Sequence, residues 1–209
     1  PHVNIIRIGS KIPAYNPFRI LNDPRLLEVF SRFTSGEKRI YLMAHFNHAN
    51  ELTSHSIQAL ERLHHAGIVV VNQTPLLNEV NSAPETLTSL FRKLSFTGVM
   101  PYYVFQCRPS LGNRAFQVPV KHSYQVIQQA WQACSGLAKR ARFVMSHATG
   151  KIEVVGKHAG CVFMRYHQAA EKALIGKFMV MKSNPHAVWF DEYREFPMWV
   201  SPPKMAWLF

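Results

Sequence analysis

The stretch HFNHANELT (residues 45–53) follows the apolar run IYLMA. It gathers two histidines, two asparagines and a glutamate where a buried strand would leave its sheet. Imidazole takes up or gives a proton near neutral pH, and amides and carboxylates fix polar ligands. Three other apolar runs carry polar groups at the same place: Arg7-Ile8-Gly9-Ser10, then Asn72-Gln73-Thr74 after IVVV, then Gln106-Cys107-Arg108 after YYVF. Strand ends of this kind converge on one rim, which is where α/β folds bind ligands. Buried polar groups have to be paired, so the rim implies either a dense internal network or a polar ligand. His45 and His48 are three residues apart, but no carboxylate is placed to complete a metal site with them. Lys151, in HATGKI, stands at a glycine turn entering a strand. It reads as a surface lysine or as an amine for pyridoxal phosphate, a role that needs a fixed position and a lowered pKa.

The elements that must position these groups are repeated strand–helix pairs. Val3 to Ile8, Ile40 to His45, Ile68 to Asn72 and Val99 to Phe105 are nearly continuous apolar runs, as expected of parallel strands buried on both faces. A helical pattern follows each. Asn22-Asp23-Pro24 opens the first, with Leu26, Leu27, Phe30 and Phe33 on one side; Thr53 or Ser54 caps the second, with Ile57, Leu60 and Leu63 inward. Ser82-Ala83-Pro84-Glu85 reads as a capping box ahead of Leu87, Leu90, Phe91 and Leu94, and the fourth helix runs from His122 to Cys134. This alternation predicts an α/β fold. Beyond Gly136, short β-like runs separated by glycines (142–146, 151–155, 161–166, 177–181) predict a small antiparallel appendage. Trp189, Trp199 and Trp207 mark an aromatic tail expected to pack on its own domain.

The chain has 209 residues, 47% of them hydrophobic and 17% charged, an ordinary globular composition. No apolar run reaches the roughly 18 residues of a membrane helix. The N-terminal residues do not read as a signal peptide. Cys107, Cys134 and Cys161 are few, odd in number and far apart, which fits a reduced, cytoplasmic protein. A net charge of +12 admits a nucleic-acid partner, but the basic residues are scattered and form no stripe. Pro1 runs almost directly into a strand, and the expectation is that the chain is the back part of a longer one.

HFNHANELT, GIVVVNQTPLLNEVN, FRKLSFTGVMPYYVFQC and the GKI segment, in that order, resemble the lysine 2,3-aminomutase family of radical S-adenosylmethionine enzymes. PHVNIIRIGSKIP is also similar to a strand of that family. The resemblance runs from residue 1 to near residue 156. It implies the C-terminal portion of a partial (βα)6 TIM-like barrel over residues 1–140. Residues 141–209 then form the β-rich appendage with the pyridoxal lysine and the aromatic tail. It implies an isomerase that moves an amino group between adjacent carbons, using S-adenosylmethionine, a [4Fe-4S] cluster and pyridoxal 5′-phosphate. His45 and Gln73 would lie at the S-adenosylmethionine site and Lys151 would hold pyridoxal phosphate, with Lys157 as the fallback.

Two departures matter. Lysine-specific members place an aspartate after the QC pair and another before the glycine-rich segment. Here these positions read Arg108 and Ser146. An arginine repels an ammonium and can grip a carboxylate through two nitrogens, so the expected substrate is an acidic amino acid such as glutamate rather than lysine. The chain also contains no CxxxCxxC, the family's cluster motif, and its three cysteines are too dispersed to replace it. The chain as given is therefore expected to be inactive, with the cluster ligands upstream of it and none within it. The intact protein is expected to be a homo-oligomer acting on a small amino acid, without a membrane. The rival reading is a non-catalytic remnant serving as a basic RNA- or protein-binding module.

Overall fold

The computed structural model describes residues 2–196. In chain order the main elements are β1 (Ile5–Ser10), α1 (Ile12–Tyr15), α2 (Phe18–Leu21), α3 (Pro24–Arg32), β2 (Arg39–Ala44), α4 (Ser54–His65), β3 (Val69–Leu76), α5 (Pro84–Phe96), β4 (Met100–Gln106), α6 (Val120–Gln132), β5 (Arg142–His147), β6 (Gly150–His158), β7 (Cys161–Ala169) and β8 (Phe178–Lys182). The strands form one eight-stranded sheet in sequence order. β1 to β5 are parallel, and β6, β7 and β8 continue antiparallel. This is an α/β fold. The late strands are not a separate appendage: β5 pairs parallel with β4 and carries the same sheet onward.

One face of the sheet is covered by helices. Leu42, Ala44, Val70, Leu76, Val104, Phe143 and Met145 point into it and are buried with Leu60 and Leu63 of α4, Leu87, Leu90 and Phe91 of α5, and Val126 and Ile127 of α6. Side chains alternate along a strand, so the intervening residues go to the other face. The tail also contributes to the core, since Trp189 and Tyr193 are buried beside Met181 and Ala187. Trp199 and Trp207 lie outside the described residues.

Several local expectations need correction. β1 is not buried on both faces: Val3, Ile5 and Ile6 are exposed, because β1 is the edge of the sheet and pairs only with β2 among the described residues. α3 starts as read, with Asp23 accepting the Leu26 amide, but its apolar side is only half-covered and Phe33 is exposed. Ser82 does not cap α5. The cap position is Ala83, one residue later, and the Ser82 hydroxyl instead accepts the Glu79 amide in the preceding turn. β3 does not stop at Asn72 but runs on to Leu76, through a register shift between Asn72 and Gln73. Thr53 does cap α4, accepting the Ser56 amide.

Glu79 stands at φ 61° in the turn after β3. A side chain in this left-handed region costs roughly 1–2 kcal/mol, and glycine avoids the clash at some entropic loss. Glu79→Gly is therefore expected to stabilise the chain by about 0.5–1 kcal/mol, raising its melting temperature by about 2 °C for a domain of this size. Thermal unfolding followed by circular dichroism checks this.

Candidate functional site

Among the described residues the other face carries no helices, and it mixes Val71, Phe105 and Val144 with polar groups. By register it presents Arg7, Tyr41, Gln73, Tyr103, Arg142, Ser146, Lys151, Glu153 and Arg165. Glu153 is the one acidic residue in any of the eight strands. Two irregularities shape this face. One is the shift at Asn72/Gln73; the other lies between Lys151 and Ile152, where β6 meets β7. Bulges re-aim side chains and are common beside active sites.

Lys151 leans across the sheet rather than out into solvent. Its Nζ stands 4.2 Å from the centre of the Tyr103 ring and 5.6 Å from that of Phe105. Burial lowers its pKa, and the Arg7 guanidinium lowers it further. Arg7 belongs to β1, five strand spacings from β6, or roughly 24 Å on a flat sheet. Gly150 makes the approach to Lys151 possible. Its φ is 147°, and a Cβ there would meet the Gln168 carbonyl oxygen at 2.2 Å and the Ala169 Cα at 2.7 Å. Ser146 is directly opposite Lys151 across β5 and β6.

Next to Lys151, the Tyr103 hydroxyl shares a hydrogen bond of 2.7 Å with His167 Nε2 and donates to the Tyr102 hydroxyl at 3.2 Å. Burial is the main cause of both shifts here, raising the Tyr103 pKa and lowering that of His167; Arg142 adds to the latter. Both groups are thus held neutral. Further along the face, Gln73 Nε2 donates to His45 Nε2 at 2.5 Å. An amide nitrogen only donates, so the imidazole proton is on Nδ1. Burial, and then Lys11, lowers the His45 pKa and keeps the ring neutral.

Much of the polar loop after β2 is consumed internally. Asn72 accepts the Phe46 amide at 2.8 Å and donates to the Phe46 carbonyl at 3.0 Å. Glu51 accepts from the Asn47 amide and from Lys11. Asn81 accepts the Leu77 amide and donates to Asn47, Thr74 and Pro75. His48 Nδ1 accepts the Asn50 amide. No three His, Cys, Asp or Glu side chains among the described residues are grouped to hold a metal.

The structure therefore brings His45 to Gln73 and Lys151 to Ser146, all at the polar face. It leaves Arg108 apart, on the exposed loop after β4, where its carbonyl accepts from Asn113. Lys157, the fallback, is further along β6, opposite Val162. The reading from sequence missed Tyr103, Arg142, Glu153, Arg165 and His167. Their signal was there as polar residues at alternate positions: Arg142 and Ser146, Lys151 and Glu153, Arg165 and His167.

No family model matches the chain. A putative L-lysine 2,3-aminomutase of Aquifex aeolicus is 52% identical over 196 residues, 93% of this chain and 52% of that protein. This chain resembles the C-terminal part of the lysine 2,3-aminomutase family. The L-lysine 2,3-aminomutase of Clostridium subterminale is 38% identical over 61% of this chain and 29% of its own length. That of Escherichia coli is 35% identical over 65% of this chain and 38% of its own. The chain thus spans about half the length of the first of these relatives and less of the others. Among solved structures, a radical SAM methyltransferase from Sphaerobacter thermophilus aligns with 58% of this chain and 38% of its own, at 13% identity and a TM-score of 0.45, too loosely to bear on fold or function.

A lowered pKa leaves more of the Lys151 amine neutral at a given pH, and the neutral amine is the nucleophile. Trace acetylation across pH 7 to 10, read by mass spectrometry, is expected to modify Lys151 at a lower pH than the exposed lysines. Gly150→Ala, which shifts the turn, is expected to abolish that difference.

Proposed function

We propose that this chain is the C-terminal part of a radical S-adenosylmethionine, pyridoxal-phosphate-dependent amino acid 2,3-aminomutase. The observation that carries the reading is Lys151: a half-buried amine of lowered pKa, laid over two aromatic rings on the same face as the His45–Gln73 pair. The similarity to proteins named L-lysine 2,3-aminomutase supports it. On this reading the sheet is the C-terminal portion of a (βα)6 barrel.

The residues present fit pyridoxal phosphate. Lys151 would attach it, and Tyr103 and Phe105 supply two aromatic rings beside the amine, tilted 47° to one another. Bound there, the cofactor supplies a conjugated system that delocalises an unpaired electron beside a migrating nitrogen. Burial favours the neutral form of the Lys151 amine, the form that would attack the cofactor's carbonyl. His45 and Gln73 would hold S-adenosylmethionine, offering an imidazole N–H and an amide carbonyl in fixed orientation. The [4Fe-4S] cluster has no ligand set among the described residues, because Cys107, Cys134 and Cys161 stand on separate elements, so its chemistry is not assigned to this chain.

The substrate in this proposal is an acidic amino acid such as glutamate. The polar groups of this face include Arg7, Arg142, Lys151 and Arg165 against the single carboxylate of Glu153, while Arg108 lies apart on its exposed loop. Like charges would exclude a lysine side chain. The test is anaerobic incubation of the intact protein with iron, sulfide, dithionite, S-adenosylmethionine, pyridoxal phosphate and either glutamate or lysine, with products resolved by NMR. The proposal expects the β-amino isomer of glutamate and no turnover by Lys151→Ala. Preferred turnover of lysine would overturn the substrate. Absent pyridoxal absorbance together with salt-dependent RNA affinity would favour a basic binding module instead.

A further inference from the structure

Glu153 is 9% exposed and is held from two sides. Arg142 Nη1 donates to both its oxygens, at 3.3 and 3.0 Å, and Arg165 Nε donates to Oε2 at 2.8 Å. The three residues come from adjacent strands: Val144, on the Arg142 strand, is opposite Glu153, and Arg165 is opposite it on the other side. Each arginine side chain keeps about two-fifths of its surface open, 42% for Arg142 and 39% for Arg165. Among the described residues, nothing engages their remaining guanidinium nitrogens.

One carboxylate thus fixes two guanidiniums and neutralises only one of them. A lone arginine on a surface loses rotamer freedom when it binds; these two are already immobilised, so less is lost when a further anion arrives. They are also in the right place. Arg142 is directly opposite Tyr103 in the sheet, and the Lys151 amine lies over the Tyr103 ring. His167, hydrogen-bonded to Tyr103, is close enough to feel Arg142, Glu153, Lys151 and Arg165, the carboxylate opposing the three cations. By contrast Arg108 stands on an exposed loop with no such brace.

We propose that Arg142 and Arg165, locked by Glu153, form an oxyanion subsite beside Lys151 that takes the side-chain carboxylate of the substrate or the phosphate of the cofactor. The identity of the two anion sources rests on the function proposed above; the subsite itself does not. Calorimetry on the chain with four probes separates the cases: glutamate against glutamine, which has the same shape without the charge, and pyridoxal phosphate against pyridoxal. If the subsite takes the carboxylate, Arg142→Gln and Arg165→Gln weaken glutamate about tenfold or more while leaving glutamine unchanged. If it takes the phosphate, the same variants weaken pyridoxal phosphate and leave pyridoxal unchanged. Arg165→Lys keeps the charge but loses the planar fork, and should recover only part of the affinity. Removing one arginine could unsettle Glu153, so the pair Glu153→Gln with Arg165→Gln, which deletes both partners, is expected to lose the same preference while keeping wild-type circular dichroism. Wild type that prefers neither charged probe, or variants that keep every preference within twofold, would overturn the proposal. Wild type that prefers glutamate through these arginines yet never binds pyridoxal phosphate would uphold the subsite and remove the cofactor reading.

Discussion

A sheet that carries its helices on one face leaves the other face to be satisfied by something else. Here the helix side takes every second residue of the strands into two apolar clusters, one with Leu42 and Val70 and the other with Met145 and Ile152. The residues between them cannot follow, because the strand repeat is two. They form a half-buried surface in which guanidiniums, phenols, imidazoles and one amine stand among Val71, Phe105 and Val144. Burial on this face removes part of the water around Lys151, Tyr103 and His167, so their mutual pairing and protonation become decisive.

The pairing follows a consistent charge logic. Glu153 is the single acid among the strands and is fully engaged, while Tyr103 and His167 are held neutral by burial. What is left over is positive charge and an amine driven toward neutrality. That combination suits a ligand which is itself an anion and carries a group for an amine to attack. It does not suit a second lysine side chain.

The strand–helix alternation was legible because periodicity is local. The apolar runs and Thr53 could be read from a few neighbouring residues, and the structure places the strands close to them. The errors were those of context. β1 has an apolar sequence but is an edge, and Ser82 finds a nearer donor in Glu79 than in its own helix. The site was legible only in part. His45 and Gln73 announced themselves by standing at strand ends. Arg142, Glu153 and Arg165 did not, because they come from three strands whose register is set by a glycine turn and a bulge that composition does not reveal.

The density of polar residues in HFNHANELT turns out to have two causes. Asn47 and Glu51, with Asn72 and Thr74 from β3 and Asn81 from the loop after it, bind one another and the backbone, which costs little beyond their own desolvation. They hold His45 and Gln73 in one orientation, and that pair is what remains for a ligand.

The central claim is that Lys151 is the amine this face was built around. Its most direct measurement is borohydride reduction of the chain in the presence of pyridoxal phosphate, followed by digestion and mass spectrometry of every lysine. The account predicts one dominant pyridoxyl modification, on Lys151. Modification spread over the exposed lysines in proportion to their accessibility, or centred on Lys157, would contradict it.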